Sequence, residues 1–254
     1  MLRTARQLAA GSFCFLALTA PAIAASPIGT VVAATGTPVA SGPGGNRDLS
    51  TGSPVYEDDK LITGGGNVQI IFVDKTRLLV GPNSTLVIER FLLRGGNSVR
   101  KFSIDALRGT FRFISGNSRK MAYDIRTANA TIGVHGTAFD VSTGSATLVA
   151  VYSGKVGLCA YGKCESVDQR CGVARATRGG VAELSGRAKG RALAGLPYVI
   201  NQSRLARQFR VDTSGCRAII TQFENFFDGG SQRDGAFEGD TRQKRVGGSS
   251  PQPQ

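Results

Sequence analysis

Val68-Gln69-Ile70-Ile71-Phe72-Val73 sets Val68, Ile70 and Phe72 on one face of an extended chain and Gln69, Ile71 and Val73 on the other. A side-chain period of two marks a strand, not a helix. Similar short runs rich in Val, Ile, Phe and Thr recur downstream at 77–80, 85–88, 99–104, 110–114, 123–127, 138–142 and 147–152. These residue types suit a pleated, half-buried surface. Turn chemistry separates the runs: Gly64-Gly65-Gly66, Gly81-Pro82-Asn83-Ser84, Gly95-Gly96-Asn97, Ser115-Gly116-Asn117 and Thr143-Gly144-Ser145. No i, i+3, i+4, i+7 stripe long enough for a helix interrupts them. Residues 25–158 therefore predict an all-β domain, an antiparallel sandwich, roll or solenoid-like layer, whose strand order does not follow from the pattern.

The whole chain has 254 residues, 41% of them hydrophobic, with 34 Gly, no Trp and one His. That composition excludes a wholly disordered chain. A lone histidine without a dense acidic cluster also excludes most metal and acid–base enzymes, and no cofactor is expected. At the N-terminus, Arg3 and Arg6 precede an apolar stretch from Leu8 to Ala20, followed by Ala22-Ile23-Ala24. This is the pattern of a secretory signal over 1–24, with cleavage expected after Ala24. The apolar stretch is 13 residues long, whereas spanning a bilayer needs about 20. The mature protein is expected to be periplasmic or secreted, with no transmembrane span.

Four cysteines follow the signal: Cys159, Cys164, Cys171 and Cys216. In an oxidising compartment they read as two disulfides with three connectivities open. If 160–163 is a hairpin loop, Cys159 faces Cys164, which favours Cys159–Cys164 with Cys171–Cys216. A thiolate metal site fits poorly, because the spacing is irregular and no histidine is near.

Charge is unevenly spread. Residues 25–169 hold 15 basic and 11 acidic residues, 170–217 hold ten and two, and 218–254 hold four and five. The Cys-containing extension 159–217 thus carries an Arg-rich block. It reads either as a solvated surface or as an anion-binding face built on Arg187, Lys189, Arg191, Arg204, Arg207 and Arg210. Nucleic acid is not the expected partner, given the export signal and the few aromatics among the arginines. Leu205 and Phe209 at i, i+4 predict one short amphipathic helix within 201–211. A further hairpin is expected at 173–176 and 181–184, around Gly179-Gly180. Residues 218–254, above all those beyond about Phe227, are expected to form a mostly flexible tail.

Catalytic readings find little support in the motifs. His135 would need a nucleophile and an orienting partner. Ser142, Ser145 and Ser153 are candidates, yet no G-x-S-x-G elbow is present. His135 reads instead as a turn or packing residue at a strand start. Asp124 and Asp140 read as exposed or turn-stabilising carboxylates. Gly154-Lys155-Val156 lacks the Ser or Thr of a phosphate loop, and the glycines at 42–45 lack its lysine.

Several motifs in order resemble the FecR domain, a bacterial periplasmic all-β module. They are Ile28-Gly29-Thr30-Val31, then Leu61-Ile62-Thr63-Gly64 leading into Val68 to Asp74, then Leu79-Val80-Gly81-Pro82-Asn83-Ser84-Thr85-Leu86, then Leu107-Arg108-Gly109-Thr110-Phe111. The most distinctive part is Asp124 to Val141, whose Thr127, Ile132, Val134, Gly136, Thr137, Phe139 and Val141 match the family's signature. Val149 to Val156 resembles the strand that follows. Lys75 stands where the family usually has Gly after Asp, so the resemblance predicts a different turn there. His135 stands where the family usually has Arg.

The namesake regulators carry an iron-uptake signal from a TonB-dependent receptor to a cytoplasmic sigma factor, through a membrane helix ahead of the β domain. Here a cleavable signal is expected in that place, which argues against direct sigma-factor control. The resemblance implies a stand-alone, non-enzymatic, exported protein-interaction or signalling-accessory module with an envelope protein partner, bound through loops or a strand edge. The alternatives are a structural binder of anionic envelope polymer or lipid through the Arg-rich block and, less favoured, a hydrolase.

Overall fold

The computed structural model describes residues 25–43, 45–95, 98–119 and 122–228. The expected signal segment lies outside them, as do residues 229–254. Fifteen strands among the described residues join one connected sheet, so the all-β class holds. The N-terminal strands are β1 (Gly29–Thr35), β2 (Val39–Gly42), β3 (Gly45–Asp48), β4 (Pro54–Val55), β5 (Lys60–Ile62), β6 (Asn67–Phe72) and β7 (Arg77–Val80). Then follow β8 (Thr85–Gly95), β9 (Ser98–Ile114), β10 (Tyr123–Arg126), β11 (Thr131–Thr143) and β12 (Thr147–Ala160). The last are β13 (Lys163–Val167), β14 (Gly172–Thr177) and β15 (Gly180–Glu183), the last two forming the hairpin read around Gly179-Gly180.

Three strands are long because each serves two layers. The first half of β9 pairs with β8 and β10, and its second half with β7 and β11. The first half of β11 lies beside β10, and its second half beside β9. β12 pairs with β14 near its start and with β13 near its end. Each strand has a glycine of positive φ where its partners change: Gly109 (111°), Gly136 (72°) and Gly154 (77°). A side chain is disfavoured in that backbone region. The corners fold the sheet over, giving a lower layer β3-β2-β5-β8-β9-β10-β11-β12-β13 and an upper layer β4-β1-β6-β7-β9-β11-β12-β14-β15. The separate runs read at 99–104 and 110–114 are thus one bent strand, and His135 stands inside β11 at its corner.

The period of two fills the space between the layers. Ile70, Phe72, Leu78 and Phe113 from above meet Ile88, Phe91, Phe102 and Ile104 from below, all buried. The Phe72 ring lies 5.6 Å from Phe91 and 4.6 Å from Phe102, and Phe113 lies 5.3 Å from Tyr123. Such edge and offset contacts add to the area the rings remove from water.

One pairing departs from the expected antiparallel pattern. β10 runs parallel to β9, with Tyr123 beside Phe102 and Arg126 beside Asp105. The preceding connection is pinned by buried Asp74, which accepts from Thr76 Oγ1 (2.9 Å), Ser118 Oγ (2.8 Å) and Tyr123 Oη (2.8 Å). That anchor brings the chain back to the end of β9 from which it re-enters in the same direction.

The turn at Lys75 is a tight one. Lys75 N–H donates to Phe72 C=O (2.9 Å) and Phe72 N–H to Thr76 C=O (2.9 Å), closing a short hairpin loop. Lys75 itself takes φ 69°, a left-handed backbone that favours glycine, so the residue is strained. We expect Lys75→Gly to raise stability by roughly 0.5–1 kcal/mol, the left-handed penalty less glycine's unfolded-state entropy. Urea denaturation would check this; a loss of stability would mean that the lysine side chain has a compensating contact.

The C-terminal extension packs on the outer side of the upper layer. It consists of α1 (Gly186–Ala194), α2 (Pro197–Ile200), a 3-10 turn at Arg207–Phe209 and α3 (Ser214–Asp228). Leu193, Leu196, Val199 and Ile220 close over Ile114, Ala150 and Val173, while Leu205 and Phe209 close over Leu79. The helix expected within 201–211 is reduced to the 3-10 turn. Local bonds take up its backbone: Asn201 Oδ1 accepts from Ser203 N–H (2.9 Å), and Gln202 Oε1 from Val211 N–H (2.9 Å), a competition that disfavours helix. Leu205 and Phe209 are buried all the same. Because α3 reaches Asp228, the boundary read at 218 falls inside a helix. Cys171 is bonded to Cys216 across 45 residues, joining α3 to the start of β14, and Cys159 to Cys164, directly opposed on β12 and β13.

Candidate interaction face

Two polar constructions mark the β domain, one sealed and one open. The sealed one lies between the upper layer and the C-terminal extension. Arg112 on β9 and Asp140 on β11 are register partners, and both are fully buried. Arg112 Nε donates to Asp140 Oδ1 (2.6 Å) and Nη2 to Asp140 Oδ2 (2.9 Å). The other donors reach the extension: Nη1 to Gln202 Oε1 (2.6 Å) and Phe209 C=O (3.3 Å), Nη2 to Tyr198 C=O (3.1 Å). Those five bonds match the five N–H groups of a guanidinium. Tyr152 Oη donates to Asp140 Oδ2 (2.7 Å).

Burial alone would pull the Arg112 guanidinium down, but the Asp140 carboxylate and Tyr152 together hold it above its ordinary value. Burial, then the Asp140 charge, pushes Tyr152 and Tyr198 up. Asp140, expected at the surface, is therefore one half of a buried ion pair. With every Arg112 donor matched, the construction works as a clasp for the extension.

The open construction is the outer face of the lower layer. Its side chains follow from the register. Ser103, Asp124, Gly133, Gly157 and Ser166 form one row across β9, β10, β11, β12 and β13. Asp105, Arg126, Thr131, Cys159 and Cys164 form the next row. On the other side, His135 is the partner of Lys155 and Lys101 the partner of Leu92. At this end an open groove of about 510 Å³ is lined by Leu92, Arg100, Lys101, Ala122, Tyr123, Asp124, Gly133, Val134 and His135. Gly133 and Gly157 leave its extension along the row without side chains, and a Cβ at Gly157 would meet nothing within 4 Å.

Arg126 in the middle of the face is paired with Glu89 and with Asp105 (3.0 Å). Among the described residues no ion pair engages Arg100, Lys101 or Lys155.

The family-signature residues turn out to shape the fold. Thr127 Oγ1 accepts from Asn129 N–H (3.2 Å) and Ala130 N–H (3.0 Å), closing the β10–β11 turn. Ile132, Val134, Phe139 and Val141 fill the core. Gly136 forms the corner of β11, and Thr137, buried beside it, donates its N–H to Ser115 Oγ (2.9 Å).

His135 is exposed, and none of the described hydrogen bonds joins it to a serine or a carboxylate. Ser142 and Ser145 lie toward the far end of β11, about 20 Å further along the strand. Ser153 stands opposite Ala138. No group of three or more His, Cys, Asp or Glu with metal-binding geometry occurs among the described residues.

The Arg-rich block is divided by the fold. Arg187, Lys189 and Arg191 lie on α1, which packs with α3 and β14. Arg204, Arg207 and Arg210 surround the segment that covers Leu79. Arg210 is tied to the main chain through Leu205 C=O (2.9 Å) and Ser203 C=O (3.0 Å).

Sequence reasoning missed Arg100, Lys101, Lys155 and Leu92. Single cations alternating along different strands look like ordinary solvated positions until register brings them together. Alternation does place Lys101 on the face opposite Phe102, but nothing in the chain places it near Lys155.

Residues 59–157 match the family model described as FecR protein. No curated protein sequence matches the chain. Two crystal structures of candidate anti-sigma factors from Parabacteroides distasonis are similar in shape. One is 16% identical with a TM-score of 0.39, covering 53% of this chain and 64% of its own. The other is 12% identical with a TM-score of 0.41, covering 66% and 90%. The match thus spans less than two thirds of the first. The family-model match opens at Asp59 and closes within β12, and it contains all three corner glycines. Residues 59–157 of this chain are a FecR domain.

Proposed function

We propose that this chain is a non-enzymatic, exported interaction module of the cell envelope that docks a protein partner on its FecR domain. One observation carries the reading. The outer side of the upper layer is closed by the chain's own extension through the Arg112–Asp140 clasp, whereas among the described residues the outer side of the lower layer is open and grooved. An antiparallel sheet tolerates such exposure, so exposure alone means little. What supports docking is a face with unpaired cations and a depression at one end, on the strands that match the family. Two disulfides, one joining residues 45 apart, support an oxidising compartment. The signalling-accessory role rests on what the FecR resemblance implies.

The test is in-envelope crosslinking and pull-down with the mature protein at about 0.1 M and about 1 M salt, since screening distinguishes exposed charge pairing from buried contact. A discrete protein retained at both concentrations is the expected result. Recovery only of envelope polymer or lipid, lost at high salt, would sink the reading and move attention to the Arg-rich block.

A further inference from the structure

We infer that the groove at Leu92, Lys101, Asp124 and His135, with Lys155 beside it, receives an extended acidic peptide segment of the partner; this rests on the interaction-module reading and names its site. Charge comes first. Arg100 and Lys101 line the groove and Lys155 stands beside it opposite His135, none with an ion pair among the described residues, and Asp124 is the one carboxylate of the described lining. In the middle of this face Arg126 is instead engaged by Glu89 and Asp105. The rim therefore favours an anion.

Shape selects the class of anion. The Gly133–Gly157 row has no side chains, which lets another backbone lie close to the sheet. Half-buried Leu92 offers an apolar contact at the same end. An anionic polysaccharide would gain from an exposed ring on which to stack. Of the two rings in the described lining, Tyr123 is buried with its hydroxyl turned to Asp74, and only the small imidazole of His135 is exposed. Carboxylate side chains flanking an apolar residue on an extended peptide fit both features.

The probe is a fluorescein-labelled peptide, Gly-Glu-Leu-Glu-Gly-Glu-Leu-Glu, titrated with the mature protein by anisotropy at low salt, beside the same peptide with Lys for Glu. The acidic peptide should bind and the basic one should not. Lys101→Glu with Lys155→Glu should weaken binding by about tenfold or more, the scale of a few exposed charge contacts. Leu92→Ser should weaken it several-fold, while Arg204→Glu with Arg207→Glu leaves it unchanged. All of these side chains are exposed or half-buried, and an unchanged melting temperature verifies folding.

Equal binding of the basic peptide, or full affinity in the Lys101/Lys155 variant, overturns the inference. So does an alginate oligomer that binds as tightly with the same sensitivities, because the site would then be a polymer site. If the pull-down captures a partner equally with wild type and the Lys101/Lys155 variant, the groove assignment fails while the module reading stands. If no partner is captured by either, the module reading fails, and the peptide titration still decides the groove.

Discussion

Arg112→Leu is expected to cost about 3–5 kcal/mol of folding stability, the usual consequence of leaving a buried charge without its partner. Asp140 would keep its carboxylate inside the protein with only Tyr152 Oη donating to it. Main-chain carbonyls of Tyr198 and Phe209 and the Gln202 amide oxygen would lose their donor at the same moment. Each of these is an additional unsatisfied acceptor. Since the three lie in the C-terminal extension, trypsin should cut at Arg204 and Arg207 much sooner than in wild type. Urea denaturation gives the energy, and the cleavage rate shows where it is lost.

Arg112→Leu combined with Asp140→Leu should recover part of the loss, because two apolar groups leave no orphaned charge. A single variant within about 1 kcal/mol of wild type would mean that the clasp is wetter than its geometry implies. The same chamber sets an alkaline limit. Tyr152 and Tyr198 hold their protons more tightly when folded, through burial and then Asp140. The folded state therefore binds more protons above the unfolded tyrosine value of about 10, and stability falls as pH rises past it.

The strands were legible because burial on one face imposes a period of two on each of them. Val68, Ile70 and Phe72 declare their strand without help from the rest of the chain. The clasp was not legible for the converse reason. Asp140 sits between Phe139 and Val141 on a strand that is buried on both faces once the extension is in place, so alternation marks it as solvent-facing when its solvent side is in fact covered. Arg112 carries the same false signal beside Phe111 and Phe113. Only the partners' positions, 28 residues apart along the chain, reveal the pair.

The helix read at 201–211 failed on chemistry that was present. Leu205 and Phe209 did mark buried positions, but the side chains of Asn201 and Gln202 engage the backbone that a helix would need. The groove is the extreme case, assembled from residues of β8, β9, β10 and β11 by register alone.

Gly154→Ala should be among the most damaging single-methyl additions in this chain, costing about 3 kcal/mol or more from a forced left-handed backbone plus a clash that cannot relax cheaply. Gly154 has φ 77°. A Cβ there would overlap the Gly136 carbonyl oxygen and come within 2.8 Å of Thr137 Cγ2. The obstructing oxygen is backbone at the corner of the neighbouring strand, so relief at one corner strains the other. Gly157→Ala, three residues on in the same strand, meets nothing within 4 Å and should fall within about 0.5 kcal/mol of wild type. Both can be read from urea midpoints at constant slope. If the two alanines behave alike, the corners are not what folds the sheet over. If they differ as expected, the glycines of the FecR signature are explained by closure of a two-layer sheet, and the resemblance transmits a scaffold rather than a chemistry. The docking site proposed on the face that carries Leu92, Lys101 and Lys155 then draws on side chains other than those glycines.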